Sequence, residues 1–247
     1  MTDEGLAGRV ALLTGASGGI GRALGKRLIA AGVRTAFTYG RHADEAEQLV
    51  TAAREAGLDA VALAGDLTDP TTPARLVHDT TEALGPIDVL IPNAGYSVQR
   101  TYQDVDLQTW DDTLAVNLRA PFLLSQAVLP GMSERGYGRV LFMSSVAGFT
   151  GGVVGPHYAA SEAGLHGLVH FLAARVAGAG VTVNALAPAV IEDTRMLPST
   201  PDGAPAIPVP VGRYGRPHEV ADLAMAVLRN GYLTSQVLGL DGGIYPR

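Results

Sequence analysis

Tyr158 and Glu162 stand one helical turn apart and follow the hydroxyl pair Ser144-Ser145, and these are the residues whose types and spacing suit chemistry. Side chains at i and i+4 share a helix face, and a serine arriving from a preceding strand would meet the phenol at a common point. Two hydroxyls aimed at one carbonyl oxygen suit a reaction that loads that oxygen with negative charge, the serine stabilising the oxyanion and the phenol protonating it. A phenol with a reference pKa of about 10 needs help to act at neutral pH, so a neighbouring cation is the expected companion. The sequence supplies a carboxylate instead. A unit charge about 5 Å away is worth roughly 3 kcal/mol at an effective dielectric near 20, so exchanging plus for minus opposes release of the phenolic proton.

The rest of the chain must bring these groups together. Residues 9–14 predict a buried strand, and residues 19–31 repeat apolar side chains at Ile20, Leu24 and Leu28 with helical spacing. Further strands are predicted at 33–39, 60–64, 87–91, 139–143, 182–186 and 236–240, and helices at 43–56, 72–84, 104–118, 120–132, 158–178 and 217–228. Strand alternating with helix specifies parallel βαβ units with right-handed crossovers, an α/β doubly wound fold. No linker divides the 247 residues, a length that α/β folds form as one domain. The rhythm breaks at 188–212, where Pro188, Pro198, Pro201, Pro205, Pro208 and Pro210 exclude a regular helix or central strand. A loop of that length is either a solvated excursion or a lid, and 190–211 is read as a substrate lid.

Between the first strand and helix lies Thr14-Gly15-Ala16-Ser17-Gly18-Gly19-Ile20-Gly21. Gly15, Gly19 and Gly21 permit a tight turn and close backbone approach to a pyrophosphate, while the amides around Ser17 and Ile20 and the helix dipole favour the anion. The order strand, glycine loop, helix makes this a dinucleotide site rather than a packing turn. Selection of NAD calls for an acid after the second strand, and of NADP for a cation. That strand ends Thr38-Tyr39-Gly40-Arg41-His42, without an acid. Arg41 is either a partner of the 2'-phosphate or an ordinary loop arginine, and the missing acid favours NADP(H) over NAD(H). Asp66, followed by Leu67 after the third strand, either accepts from the adenine amine or caps a turn.

Composition narrows the remaining classes. A net charge of -6 without a basic stretch argues against nucleic acid as a partner. No apolar run reaches transmembrane length and the first residues lack a signal-peptide pattern, so a soluble cytoplasmic protein is expected, with no membrane partner. No cysteine is present, which excludes disulfides and thiolate metal sites. His166 and His170 are spaced i, i+4, but no third ligand accompanies them, and no metal is expected.

Thr14-Gly-x-x-x-Gly-x-Gly21, Asn93-Ala94-Gly95, Asn117, Ser145 and Tyr158 occur in order and at the spacings of the classical short-chain dehydrogenase/reductases, which the chain resembles over essentially its whole length. Tyr158-Ala-Ala-Ser, Val181-Thr-Val-Asn184-Ala-Leu-Ala-Pro188, Gly212-Arg-Tyr-Gly-Arg-Pro217 and Asp241-Gly-Gly243 are most similar to the 3-oxoacyl-[acyl carrier protein] reductase-like branch. The resemblance implies a Rossmann-type, seven-stranded parallel sheet, a nicotinamide cofactor, a small-molecule or acyl-carrier-bound carbonyl substrate and a homotetramer. It implies that Tyr158 is the acid/base and touches the cofactor, that Ser145 polarises the carbonyl, and that Asn117 serves a water relay. Asn93 would brace the central sheet and a cofactor ribose, and Ala94 and Gly95 would line that ribose pocket. Thr194 resembles the threonine holding the nicotinamide carboxamide, in a segment running from Pro188 through Ile191, although it falls one residue late and Ala189 replaces a usual glycine.

The family places a lysine four residues after its tyrosine, where this chain has Glu162. Lys26, the only lysine, belongs to the helix after the phosphate loop, and Arg195 in the proline-rich segment is the one cation that could reach the site. Three readings follow. Glu162 impairs turnover on a reductase scaffold; or Glu162 is protonated through burial or acts as an acid/base assisted by His157, so that the chemistry is altered; or the protein binds the cofactor without redox turnover, as a pseudoenzyme or an isomerase or cyclase.

Overall fold

In the computed structural model, which describes residues 5–194 and 208–245, the strands β1 (Val10–Leu13), β2 (Arg34–Tyr39), β3 (Ala60–Ala64), β4 (Val89–Ile91), β5 (Gly138–Met143), β6 (Val181–Pro188) and β7 (Val237–Leu240) form one parallel sheet of order β3-β2-β1-β4-β5-β6-β7. Helices α1 (Gly19–Ala30), α2 (Ala43–Glu55) and α8 (Pro217–Arg229) cover one face. Helices α3 (Thr72–Leu84), α5 (Ala120–Glu134) and α7 (Pro156–Val176) cover the other. The period-two alternation of a strand decides which side chain joins which core. Along β1, Ala11 and Leu13 pack under α1 and α8, while Val10 and Leu12 pack under α5 and α7. The expected α/β doubly wound, seven-stranded arrangement is what the chain adopts, and among the described residues no helix is long and apolar enough to cross a membrane.

The order reverses between β1 and β4, so the loops leaving those strands diverge and open a crevice at their carboxyl ends. Asn93 fastens the crevice floor. Its amide side chain donates to the carbonyls of Thr14 at 3.0 Å and Gly15 at 3.1 Å, while Thr14 Oγ1 accepts from the backbone N–H groups of Asn93 and Ala94, both at 3.0 Å. Gly15 has φ +66, and a Cβ there would lie 2.7 Å from Ala94 Cα. A Cβ on Gly21 would overlap the Gly15 carbonyl oxygen.

The elements depart from the sequence expectation chiefly in three places. The helix expected over 104–118 is α4 (Leu107–Leu114), started by Asp106, whose side chain accepts from Thr109 N at 2.7 Å, and it continues into a π-helical turn, Ala115–Arg119, that runs on into α5. Pro121 explains the turn: proline offers no N–H to the carbonyl four residues back, that of Asn117, and its ring crowds that carbonyl, so the helix widens there. Helix α7 begins at Pro156 rather than Tyr158, because proline's fixed φ suits a first helical position. A short helix α6 (Ala147–Thr150) was not foreseen. Of the loop read as a lid, residues 195–207, Arg195 among them, lie outside the described residues; its first end is held by pairing of Ile191 with Gly215.

Gly15→Ala forces a side chain into a left-handed conformation costing about 1–2 kcal/mol and presses a methyl group on Ala94. A melting temperature lowered by about 3 °C or more in a thermal scan is expected, and an unchanged one contradicts the close approach.

Candidate active site

All the reacting groups sit beyond the carboxyl ends of the strands. Past Met143 the chain stays tied to β6 by Ser144 N donating to Leu186 O at 2.8 Å and Val146 N to Pro188 O at 3.0 Å. This fixes Ser145, whose Oγ also accepts from Ala147 N at 3.2 Å. Tyr158 projects from the first turns of α7 and its phenol hydrogen-bonds Ser145. The phenol is buried, which pushes its pKa above the ordinary value; the charge of Glu162, once that group ionises, raises it further, and the Ser145 hydrogen bond pulls it back in part.

The widened turn aims Asn117 at the same place. Its side chain is clamped by the backbone of Tyr96, accepting from Tyr96 N at 2.8 Å and donating to Tyr96 O at 3.0 Å. The same Nδ2 lies 3.2 Å from Ser161 Oγ and 3.5 Å from Glu162 Oε1. Gly164 lets α7 lie this near, since a Cβ there would sit 2.8 Å from Leu118 Cδ2. Asn117, Ser145, Tyr158 and Glu162 therefore converge as the sequence indicated.

Glu162 is 4% exposed, and among the described residues no cation pairs with its carboxyl. Burial lifts its pKa from the ordinary 4.5 to about 8, against a smaller opposing pull from the Ser144 hydroxyl. Neutral pH thus finds the group carrying a proton. The two oxygens then have distinct roles: Oε1, beside the Asn117 amide, is the acceptor, and Oε2 has no protein partner and is left as the acidic O–H.

His157, expected to assist Glu162, turns away: its Nε2 bonds the Val98 carbonyl at 3.0 Å and its Nδ1 is buried without a partner. The histidine that does approach is His166, one turn past Glu162, with Nε2 3.0 Å from Ser144 Oγ. The contact of Ser144 with His166 has no signal in the local sequence pattern, although His166 is spaced i+4 from Glu162 as Glu162 is from Tyr158. His166 does not share a ligand with His170, which meets Ser235 Oγ at 3.1 Å, and the described residues contain no group of three metal-ligating side chains.

Around the phosphate loop, Gly19 packs under the segment after β6, where a Cβ would overlap the Asp193 carbonyl oxygen. Thr194 Oγ1 donates to the Ile191 carbonyl at 2.8 Å, and Pro188 ends β6. Ser17 is buried at 9% exposure, whereas Gly95 is open to solvent. Ile20, Leu67 and Ile191 pack their side chains in apolar clusters. Asp66 Oδ1 accepts from Thr68 N at 2.9 Å and Thr68 Oγ1 at 2.7 Å as a turn cap, which holds its carboxyl below the ordinary value, and Arg41, exposed after β2, adds a small pull in the same direction.

The family model described as short chain dehydrogenase matches residues 9–204. The chain belongs to the short-chain dehydrogenase/reductase family. Among its relatives in the family, an acetoacetyl-CoA reductase of Allochromatium vinosum is 35% identical over 96% of this chain and 98% of that protein. A 3-oxoacyl-[acyl-carrier-protein] reductase of Escherichia coli is 34% identical over the same shares, 96% and 98%. A short chain dehydrogenase from Burkholderia cenocepacia, solved in complex with NADP, superimposes with a TM-score of 0.86 at 34% identity, covering 97% of this chain and 98% of that one.

Because the folded Glu162 holds its proton up to about pH 8 and an unfolded glutamate only to about 4.5, the native state binds more protons between those values. The pH-dependent cost of burying this group is therefore absent below about pH 4.5 and grows as pH rises towards 8, reaching a few kcal/mol at about 1.4 kcal/mol per pKa unit. Thermal scans of Glu162→Gln against the unmodified protein should show an advantage for the variant that widens by about 5 °C or more between pH 5 and pH 8; a difference that stays constant with pH contradicts the buried neutral acid.

Proposed function

We propose that the protein is an NADP(H)-dependent oxidoreductase that reduces the ketone of a 3-oxoacyl or similar medium-sized substrate to an alcohol, with chemistry altered by a neutral Glu162. The observation that carries this reading is the hydrogen-bonded pair of Ser145 and Tyr158 at the crevice mouth, with the Asn117 amide and the Glu162 carboxyl behind it. Relatives named as acetoacetyl-CoA and 3-oxoacyl-[acyl-carrier-protein] reductases support the substrate class.

The residues present fit a bound dinucleotide. Gly15, Gly19 and Gly21 have no room for a Cβ, so backbone alone forms the loop that would take the pyrophosphate. Arg41, at the end of a β2 without an acid, would meet a 2'-phosphate, with Asp66 and the backbone of Leu67 towards the adenine. Asn93, Ala94 and Gly95 would lie along a ribose, Pro188, Ile191 and Thr194 beside the nicotinamide, and the unpartnered Glu162 Oε2 is a buried donor for a ribose hydroxyl. When bound, NADPH supplies the hydride that adds to the carbonyl carbon.

The chain's own part is the proton. Ser145 donates to the carbonyl oxygen as it becomes an oxyanion. Tyr158, kept protonated by its burial, gives that oxygen its phenolic proton. The phenolate left behind forms more readily beside an uncharged carboxyl than beside a carboxylate, so the protonated state of Glu162 is the working one, and the usual cation is replaced by a neutral acid.

NADPH binding measured by fluorescence and NADPH oxidation measured with an acetoacetyl thioester test this reading. Ser145→Ala and Tyr158→Phe are expected to lower kcat by about 10²-fold or more with NADPH binding retained. The reduction rate should fall as pH rises through about 8, where Glu162 ionises, and Glu162→Gln should remove that fall. Binding without oxidation from about pH 5 to about pH 10 overturns the reductase in favour of a cofactor-binding pseudoenzyme.

A further inference from the structure

The C-terminal turn, residues 241–245, touches more of the site than the end of a sheet requires. It leaves β7 at Asp241, whose Oδ1 accepts from Gly243 N at 2.9 Å and whose Oδ2 accepts from Tyr245 N at 3.2 Å. Gly242 at φ +62 and Gly243 at φ +89 take left-handed conformations that side chains disfavour. The bare backbone they present is where the substrate loop returns. Val211 N donates to Gly242 O at 3.1 Å; a Cβ on Gly242 would lie 2.7 Å from Val209 Cγ1, and one on Gly243 3.2 Å from Pro210 Cβ. The other end of the loop is held from the same place, Ala189 N donating to Leu240 O at 3.1 Å. Both ends of the 190–211 loop are therefore stapled to one short stretch, residues 240–243.

The turn ends on an aromatic contact. Tyr245 stacks on Phe149 with centroids 5.8 Å apart and planes 6° apart, and Phe149 lies against the His166 ring at 4.3 Å. Phe149 belongs to α6, a helix of four residues, and so short a helix does not hold itself in water. Its support is tertiary: Phe149 against His166 and Tyr245, and Gly148 against His166, where a Cβ would lie 2.5 Å from Cε1. This support matters because the first amides of α6 hold the reacting serine. Ala147 N donates to Ser145 Oγ at 3.2 Å and Gly148 N to Ser145 O at 3.0 Å. A hydroxyl whose oxygen accepts an N–H is fixed in direction and is the better donor to a carbonyl.

We propose that Tyr245 is a positioning residue for the reduction: through Phe149 and α6 it holds Ser145, and the turn that carries it ties Ser145 to both ends of the substrate loop. A substrate that displaces the loop ends is thereby felt at the serine hydroxyl, so the fit of the acyl chain and the aim of the proton donor are set together. The effect on turnover rests on the reductase reading above, whereas the hold on α6 does not.

Hydrogen exchange of the backbone amides at 146–150, read by mass spectrometry on the protein without cofactor, tests the hold on α6. Tyr245 is 38% exposed and belongs to none of the three apolar clusters, so its truncation leaves the core in place. Tyr245→Ala should speed exchange at 146–150 about tenfold or more, while Tyr245→Phe, which keeps the ring, should leave it unchanged. With NADPH and an acetoacetyl thioester, Tyr245→Ala and Phe149→Leu should each lower kcat about tenfold with the Kd for NADPH unchanged, and Tyr245→Phe should retain the rate. The double variant should lose no more than either single one, as expected of one shared path. Unchanged exchange at 146–150 in Tyr245→Ala overturns the proposal, as do losses in kcat that add in the double variant. If the unmodified protein binds NADPH but oxidises none, the reductase reading fails by itself, and the exchange rates still decide whether Tyr245 holds α6.

Discussion

A carboxyl group shut away from water beside a phenol must find a cation or keep its proton, because an unpaired buried charge costs more than a protein's net stability tolerates. Glu162 is in that position, and no described cation reaches it. Much of the local structure follows from keeping it neutral. Oε1 is placed beside the Asn117 amide, Oε2 is left as the donor, and Ser144 stands where it exchanges hydrogen bonds with both the glutamate and His166. The family's usual solution uses a lysine ammonium to favour phenolate, and this chain has a buried carboxyl in that place.

The frame itself depends on few contacts. A parallel sheet presents its loop ends on one side, and the reversal of strand order between β1 and β4 opens the crevice there. Asn93 locks the two loops at that point, and glycines at 15, 19 and 21 let backbone pack where no side chain fits. On the other side of the crevice, Pro121 deprives the Asn117 carbonyl of a helical donor, and the π turn that results swings Asn117 towards α7. Gly164 then admits the close contact of that turn with α7. An unfavourable proline and one missing side chain thus place the amide that lies beside Glu162.

Most of the fold was legible because alternating apolar runs and glycine punctuation are local signals. Tyr158 and Glu162 were legible for the same reason, being one turn apart on one helix. His166 lies at the same interval beyond Glu162, yet its partner comes from β5, and no local pattern reports that the hydroxyl of Ser144, rather than the ring of His170, would meet it. His157 misled because adjacency in sequence puts neighbouring side chains of a helix about 100° apart, so His157 faces Val98 while Tyr158 faces Ser145. The π turn escaped because Pro121 acts on a carbonyl four residues back, inside a stretch whose apolar spacing continues undisturbed.

The protonation of Glu162 is the central claim, and carbon-13 NMR of the glutamate carboxyl carbons reads it directly. With the resonance assigned by Glu162→Gln, the Glu162 carbon should hold the shift of a neutral carboxylic acid at pH 7 and move to that of a carboxylate around pH 8. A carboxylate shift throughout neutral pH, with a midpoint near the ordinary 4.5, would contradict the account.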